Sequence, residues 1–330
     1  MSVIFTGDRP TGPLHLGHFV GSIKNRLMVQ EQGKWMYIFM ADTQALTDYF
    51  ENPGLVSRNV WQLAEDYAAC GIDFEKNCIF IQSMIRALPE IGMYYMNFVT
   101  LSRVERNPTV KTELQSKKFA RDIPCGFVCY PIFQAADITA FQATDIPVGE
   151  DQLPMLEQTN EIVRKFNSMY NTDILKECKI MASSTPRLVG IDGQAKASKS
   201  LNNCIFLNDS AQEVANKVMS MYTDPNHIRA SDPGRVEGNV VFDYLTAFAT
   251  DLAEIEDLKA QYRKGGLGDV LIKKRLIAIL EEFFGPIRER RAKVDPKLLK
   301  EMVFAGTKKA NIVADGVLSQ IKEAMFLNFR

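Results

Sequence analysis

Val3-Ile4-Phe5-Thr6-Gly7-Asp8-Arg9-Pro10-Thr11-Gly12-Pro13-Leu14-His15-Leu16-Gly17-His18-Phe19 is the stretch on which the reading of this chain turns. Its apolar opening reads as a strand. The segment 6–13 holds two glycines and two prolines, which break a strand ladder. Apolar residues then recur at 19, 20, 23 and 27 with helical spacing. Strand, glycine turn and helix start therefore follow one another. His15, Gly17 and His18 fall at the helix N-terminus, where unpaired N–H groups and the helix dipole favour a phosphate. Imidazoles can donate to the same anion. Gly17 leaves room for a flat base or ribose against the backbone.

A second stretch, far along the chain, is of another kind. Gly190-Ile191-Asp192-Gly193-Gln194-Ala195 is a glycine-containing loop, and Lys196-Ala197-Ser198-Lys199-Ser200 follows it. Lysine is a point charge on a flexible stem, suited to following a moving phosphate. Together, in this order, the two stretches point to adenylyl transfer. They resemble the two signature motifs of the class I aminoacyl-tRNA synthetases. The first matches the HxGH form in full. The second departs only at Ala197, where methionine is usual, and keeps both lysines and both serines.

The 330 residues suffice for two packed units, and 46% hydrophobic with 24% charged residues predicts a soluble globular chain. No apolar run of membrane-spanning length and no leader peptide is read, so the expected location is cytoplasmic, with no membrane association. A net charge of −1 argues against broad nonspecific nucleic-acid binding but leaves room for a local patch. Two basic clusters, Lys273-Lys274-Arg275 and Arg288, Arg290, Arg291 and Lys293, are either such patches or solvated helix faces. The six cysteines form no C-x-x-C pair and only three histidines are present, so neither a metal site nor a disulfide framework is expected.

Trp35-Met36-Tyr37-Ile38-Phe39-Met40-Ala41 and Cys78-Ile79-Phe80-Ile81 are continuous apolar runs, the pattern of strands buried on both faces. Helical spacing over 55–71 separates them. The alternation predicts an α/β fold with a Rossmann-like, doubly wound parallel sheet. Ligands bind such sheets at the carboxyl ends of the strands, where Thr6, Asp42 and Gln82 are expected. Residues 84–125 read as mainly helical with a basic stripe of Lys111, Lys117, Lys118 and Arg121. A helix is expected over 130–141. A strand at Asp145 then leads into a helix opened by Glu150, Asp151 and Gln152. After about 206 only helices are read, at 210–222, 239–263, 267–284 and 296–326, with Gly285-Pro286 among the breaks. These form an α-helical C-terminal domain.

Tyr130, Gln134 and Asp137 stand at i, i+4 and i+7 on one helix face among apolar neighbours. Such a stripe is either a solvated edge or the polar end of a small-molecule pocket. Beside two nucleotide motifs the pocket is the better reading. A buried carboxylate aimed at a ring N–H or phenol O–H rejects analogues lacking that donor by roughly four to five orders of magnitude. Aromatic amino acids with polar tips become the candidate substrates.

Over its whole length the chain resembles the bacterial tryptophanyl-tRNA synthetases. The resemblance is carried by Phe5-Thr6-Gly7, the HxGH turn, Tyr130 with Ala135-Ala136-Asp137-Ile138, and Thr144-Asp145-Ile146-Pro147-Val148-Gly149-Glu150-Asp151-Gln152. Lys308-Lys309-Ala310-Asn311 near the end adds to it. Arg9, Gln44 and Gln134 depart from the family's frequent glutamine, histidine and methionine, as in a divergent subgroup. The resemblance implies a tryptophan–tRNA ligase that makes tryptophanyl-adenylate from L-tryptophan and ATP and then charges tRNA(Trp). Magnesium would ride on the phosphates. It implies a catalytic domain over 1–206, with a helical insertion at about 84–125 and the last helix, 296–330, packing back on it. An anticodon-reading domain over 207–295 and a homodimer are also implied.

By resemblance, Asp137 accepts from the indole N–H, Tyr130 and Gln152 bind the ammonium, and Phe5, Gly7 and Gln134 line the tryptophan site. Arg9, Pro10, Thr11, Gly17 and His18 hold ATP from the first turn. Gly149, Glu150 and Asp151 meet the ribose, and Leu188 the adenine. Lys196, Ala197, Ser198, Lys199 and Ser200 close over the pyrophosphate. His15, His18, Lys196 and Lys199, with Lys111 as a further candidate, are the expected catalytic residues. Arg288, Arg290 and Arg291 are candidate tRNA contacts. Met93, Tyr94, Tyr95, Met96 and Phe98 form either a dimer interface or plain core. Alternatives are a tyrosyl-tRNA synthetase, a small-substrate nucleotidylyltransferase lacking the long tail, and a synthetase-like binding or regulatory protein.

Overall fold

The computed structural model describes residues 2–117, 123–181, 188–194, 197–199 and 201–329, with 116, 117 and 150 through their backbone alone. Five strands form one parallel sheet: β1 (Ile4–Asp8), β2 (Met36–Met40), β3 (Cys78–Ile81), β4 (Asp145–Ile146) and β5 (Lys179–Ile180). Their spatial order is β3-β2-β1-β4-β5. Ile4 stands opposite Met36 on one side and Asp145 on the other. The chain thus builds outward from β1 in one direction, then returns and builds in the other. A crevice opens between β1 and β4 at their carboxyl ends, where loops leave in opposite directions.

Strand residues alternate between two cores. Ile4, Met36, Ile38, Met40, Ile79 and Ile81 pack on one face. Phe5, Phe39, Cys78 and Phe80 pack on the other. Both faces are covered, which is why these strands read as unbroken apolar runs. The helix after β1 starts as Leu16–His18, widens to a π-turn over Phe19–Ile23 and returns to α over Lys24–Glu31. Asn52 caps the Pro53–Cys70 helix by accepting the Leu55 N–H, and Gly71 ends it at φ 97°.

Helices Ala87–Tyr95, Leu101–Glu105, Pro108–Lys117 and Cys125–Thr139 connect β3 to β4. Several expectations are corrected here. Thr6 lies within β1, and Asp8 ends that strand. Glu150–Gln152 is a 3-10 turn, and the helix proper is Leu153–Tyr170. The expected helix 239–263 is two, Val240–Phe248 and Leu252–Lys264, because Asp251 caps the second by accepting from Ala253 and Glu254. Gly285-Pro286 breaks nothing. The Asp269–Ala292 helix runs through it, since Phe284 and Ile287 are both buried in the core and packing outweighs one missing N–H. Tyr95 and Phe98 are core, whereas Met93 and Met96 are exposed.

The final helix, Pro296–Ala324, lies along β3. It seals the sheet edge: the Ile81 N–H donates to Thr307 Oγ1 at 3.4 Å, and the Gly306 carbonyl accepts from Cys78 Sγ at 3.3 Å. A Cβ at Gly306 would fall 2.1 Å from the Ile79 carbonyl oxygen. Among the described residues, no helix is long and apolar enough to cross a membrane. Gly306→Ala should lose about 2–3 kcal/mol by forcing helix and strand apart. Gly316→Ala, in the same helix but facing open space, should gain about 0.5–1 kcal/mol. Urea unfolding of the two variants measures both, and equal effects would contradict this packing.

Candidate active site

The HxGH turn is built by reciprocal capping. His15 Nδ1 accepts the Gly17 N–H at 3.1 Å, and His18 Nδ1 accepts the His15 N–H at 3.2 Å. Acceptance at Nδ1 leaves the proton of each neutral ring on Nε2, a donor suited to phosphate oxygen. The rings lie 3.8 Å apart. A Cβ on Gly17 would sit 2.9 Å from the His15 ring, so only glycine admits this stacking. Leu14 and Leu16 hold the turn by backbone bonds to Leu207 and Ile205, at 2.8 and 2.9 Å.

The second motif meets the first. Lys199 Nζ donates to the Gly12 carbonyl at 2.8 Å and to Thr11 Oγ1 at 3.3 Å. Burial lowers the Lys199 ammonium below its usual pKa, and Arg9 adds to that; Asp8 and Asp66 act the other way. Ala197 is buried and its N–H reaches the Leu188 carbonyl at 3.3 Å. Ser198 N–H donates to Asn203 Oδ1 at 2.8 Å, and Asn203 in turn donates to Asp192. Lys196 and Ser200, as well as Lys118 and Arg121, lie outside the described residues, as do the side chains of Lys117 and Glu150.

A cavity of about 370 Å³ occupies the β1–β4 crevice. It brings together Phe5, Gly7, Arg9, Thr11 and His18 from the β1 side. Tyr130, Gln134, Gly149, Asp151 and Gln152 face them from the other. Pro10 is buried. Arg9 pairs with Asp48 at 3.0 Å. Burial, and then Glu113, push up the Tyr130 phenol. On the cavity wall Asp8 accepts from Tyr67 at 2.7 Å and pairs with the fully buried Arg26 at 2.8 Å. Burial opposes the Asp8 charge, but Arg26, with the Tyr67 hydrogen bond, outweighs it and holds the carboxyl below its usual value.

Asp137 does not line the cavity itself, although Gln134 and Ile138 do. Its carboxyl group, in the same helix, is buried and accepts from Gln82 Nε2 through both oxygens, at 2.9 and 2.8 Å. Gln82 Oε1 accepts the Gln44 N–H at 3.2 Å, and Gln44 lines the cavity. Burial drives the Asp137 carboxyl up to about 8; the Gln82 bond pulls the other way, and Asp42 adds to the rise. No cation among the described residues pairs with Asp137.

Some expected residues stand elsewhere. Lys111 is exposed and absent from the cavity wall. Two residues along a helix turn through about 200°, so Thr109 and Glu113 face the cavity and Lys111 faces away. Thr109 and Glu113 carry no sequence signal, whereas Gln82 stands out as a strand-end residue and Gln44 as a departure from the family pattern. The arginine cluster is consumed internally. Arg288 pairs with Glu281 at 2.6 Å, Arg290 donates to the Ala69 carbonyl at 2.7 Å, and Arg291 pairs with Asp66 at 2.5 Å. In the other cluster Lys273 donates to the Met219 carbonyl and Arg275 pairs with Glu254. A helix end carrying several cations meets carbonyls and carboxylates of its own fold first.

The family described as tRNA synthetases class I (W and Y) matches residues 1–285. A tryptophan–tRNA ligase of Streptococcus pneumoniae is 53% identical over 99% of this chain and 98% of its own length. The chain belongs to the class I synthetase family for tryptophan and tyrosine, on its tryptophan–tRNA ligase branch. A ligase of the same name from Lactococcus lactis is 52% identical over 99% of this chain. Among solved structures, the tryptophanyl-tRNA synthetase of Campylobacter jejuni, complexed with ADP and tryptophan, superposes with a TM-score of 0.86. It is 28% identical, covering 98% of this chain and 100% of that one. The tyrosyl alternative is not favoured.

Asp137 also sets a pH signature. Its carboxyl, raised from 3.8 to about 8, binds a proton more tightly folded than unfolded. That contribution is full below the unfolded value and is lost as pH climbs through the folded one. Asp137→Asn does not titrate, so its melting temperature should gain on the parent's from about pH 4 to about pH 8 and level off above. A difference independent of pH would contradict the burial described.

Proposed function

We propose that this aminoacyl-tRNA ligase activates L-tryptophan with ATP in the β1–β4 cavity and transfers the product to tRNA(Trp). The observation that carries the reading is Asp137, a buried acceptor adjoining an aromatic-lined cavity, beside two nucleotide segments joined through Lys199 and Gly12. The indole enters between Phe5 and Gly7 on one side and Gln134 on the other, and its N–H donates to Asp137. Tyr130 and Gln152 take the ammonium.

The tryptophan carboxylate attacks the α-phosphorus in line. The bond to the β-phosphate oxygen breaks, and pyrophosphate leaves with its electron pair. Neither this step nor the transfer to the tRNA terminal hydroxyl needs a protein nucleophile. Catalysis is positioning and charge stabilisation. Arg9, Thr11, Gly17 and His18 hold the triphosphate from one side, with Pro10 shaping the turn. Gly149, Glu150 and Asp151 hold the ribose, and Leu188 presents backbone to the adenine. His15 and His18 donate from Nε2 to the reacting phosphates. Lys196, Ala197, Ser198, Lys199 and Ser200 form the loop over the pyrophosphate. Lys199 leaves the Gly12 carbonyl for the leaving group as its charge builds. Magnesium would ride on the ATP phosphates and neutralise part of their charge.

Region 207–295 reads the anticodon, and the last helix serves the catalytic half. The exposed Met84, Met93, Met96 and Leu101 give a homodimer its contact face. The chain works in the cytoplasm.

ATP–pyrophosphate exchange across the twenty amino acids tests the substrate: tryptophan alone should support it, and exchange with tyrosine or with no amino acid would overturn the reading. Lys199→Ala should lower the exchange kcat by about two to three orders of magnitude while tryptophan Kd moves less than about threefold. Exchange at the parent rate would remove Lys199 from the mechanism.

A further inference from the structure

Arg291 was a candidate for RNA contact, yet it is spent inside the fold. Its partner is Asp66, a fully buried carboxylate in the Pro53–Cys70 helix. Oδ1 of Asp66 accepts from Arg291 at 2.5 Å and from Gln62 at 3.3 Å. Oδ2 accepts the backbone N–H of Leu14 at 2.8 Å. Leu14 immediately precedes His15, and its carbonyl accepts the Leu207 N–H at 2.8 Å. The residue that launches the HxGH turn is therefore held from both sides: by the strand-like segment after the lysine loop, and by a carboxylate oriented from the helical region. Neither Asp66 nor Arg291 lines the cavity.

A carboxylate with no exposure is sustained by its donors alone. Burial pushes the Asp66 carboxyl up, and Arg291 is the largest influence against it, ahead of the Leu14 amide and Gln62. The guanidinium is planar and presents fixed donors, so it orients the carboxylate as well as neutralising it. Arg290, one residue earlier, donates to the Ala69 carbonyl and fixes the same pair of helices together. Two hydrogen bonds thus separate the end of the Asp269–Ala292 helix from the nucleotide turn.

We propose that Asp66 is a positioning residue for the nucleotide turn, and that Arg291 reaches across from the helical region to hold it in place. Through Leu14 the pair sets where His15 and Gly17 stand relative to the triphosphate. The inference rests on the reading that this turn holds ATP. A change in the helical region that moved Arg291 would reach adenylate formation by this route without touching substrate.

The test is steady-state pyrophosphate exchange with ATP and tryptophan varied separately. Arg291→Met should raise KM for ATP about tenfold, or lower kcat by as much, with KM for tryptophan unchanged; Arg291→Lys should recover most of the loss. Arg291→Met strands a buried carboxylate, so two double variants decide the matter even where it fails to fold. Asp66→Asn/Arg291→Met keeps an acceptor for Leu14 and should hold KM for ATP within about threefold of the parent. Asp66→Leu/Arg291→Met removes the acceptor and should show the full ATP defect at a comparable melting temperature. Equal ATP parameters in the two double variants, or tryptophan and ATP KM rising together, would overturn the proposal. His18→Gln separates the layers. Unchanged ATP kinetics in it would overturn the nucleotide reading and this inference with it. An effect there, with none from the Leu/Met pair, would overturn the inference alone.

Discussion

A carboxylate kept inside the core with an amide for company is the constraint around which the substrate side of this molecule is arranged. Asp137 is 3% exposed, and both of its oxygens face one Gln82 nitrogen. Phe5 stacks on Phe39 at 4.7 Å and on Phe141 at 5.4 Å, and Phe5 and Phe39 line the cavity. Gln82 is itself fixed. Its other end accepts from the Gln44 backbone, while the adjoining Ser83 donates to Asp42 through N–H and hydroxyl, at 2.9 and 2.5 Å. A carboxylate offers about four acceptor positions, and one amide leaves some of them unused. In the proposed complex a ring N–H supplies a further donor; a ring without one leaves a buried acceptor short of donors. Selectivity of that kind comes from desolvation rather than from shape.

The nucleotide side follows a different logic. The groups proposed for it are backbone amides, imidazoles and Lys199, from segments distant in sequence. The parallel sheet supplies the first by ending β1 at Asp8, beside the crevice. Backbone pairing of 14–16 with 205–207 then brings the lysine loop alongside. Lys199 resting on Gly12 is a contact that a flexible point charge can exchange for phosphate, whereas the Arg26–Asp8 pair at the cavity wall is fully buried on the arginine side and serves as the fixed support. Rigid support beside an exchangeable cation suits the proposed reaction, whose charge moves from α-phosphate to leaving group.

Much of this was legible in the order of residues. The runs that became β1, β2 and β3 are apolar on both faces, and a both-faces-covered sheet leaves that signature. The two motifs and the Tyr130–Gln134–Asp137 face were visible because their spacing is local. What escaped was set by contacts between distant segments. β5 has two residues, too few for a pattern, and exists because Lys179 pairs with Asp145. Pro286 looked like a stop, but burial of Phe284 and Ile287 carried the helix through it. Lys111 belonged to the right helix and the wrong side of it. The arginines near 290 looked like a surface patch because nothing local reveals that Asp66 and the Ala69 carbonyl face them. Glu113 and Thr109 reach the cavity only once their helix is docked.

The most direct measurement is calorimetric binding of L-tryptophan against its benzothiophene isostere, in which sulfur replaces the indole N–H and shape is nearly unchanged. If Asp137 reads the hydrogen donor, the isostere binds at least about a hundredfold more weakly, because the buried acceptor is left unpaired. Equal affinity for the two would show that the carboxylate does not face the ring nitrogen, and the account of substrate choice would fail.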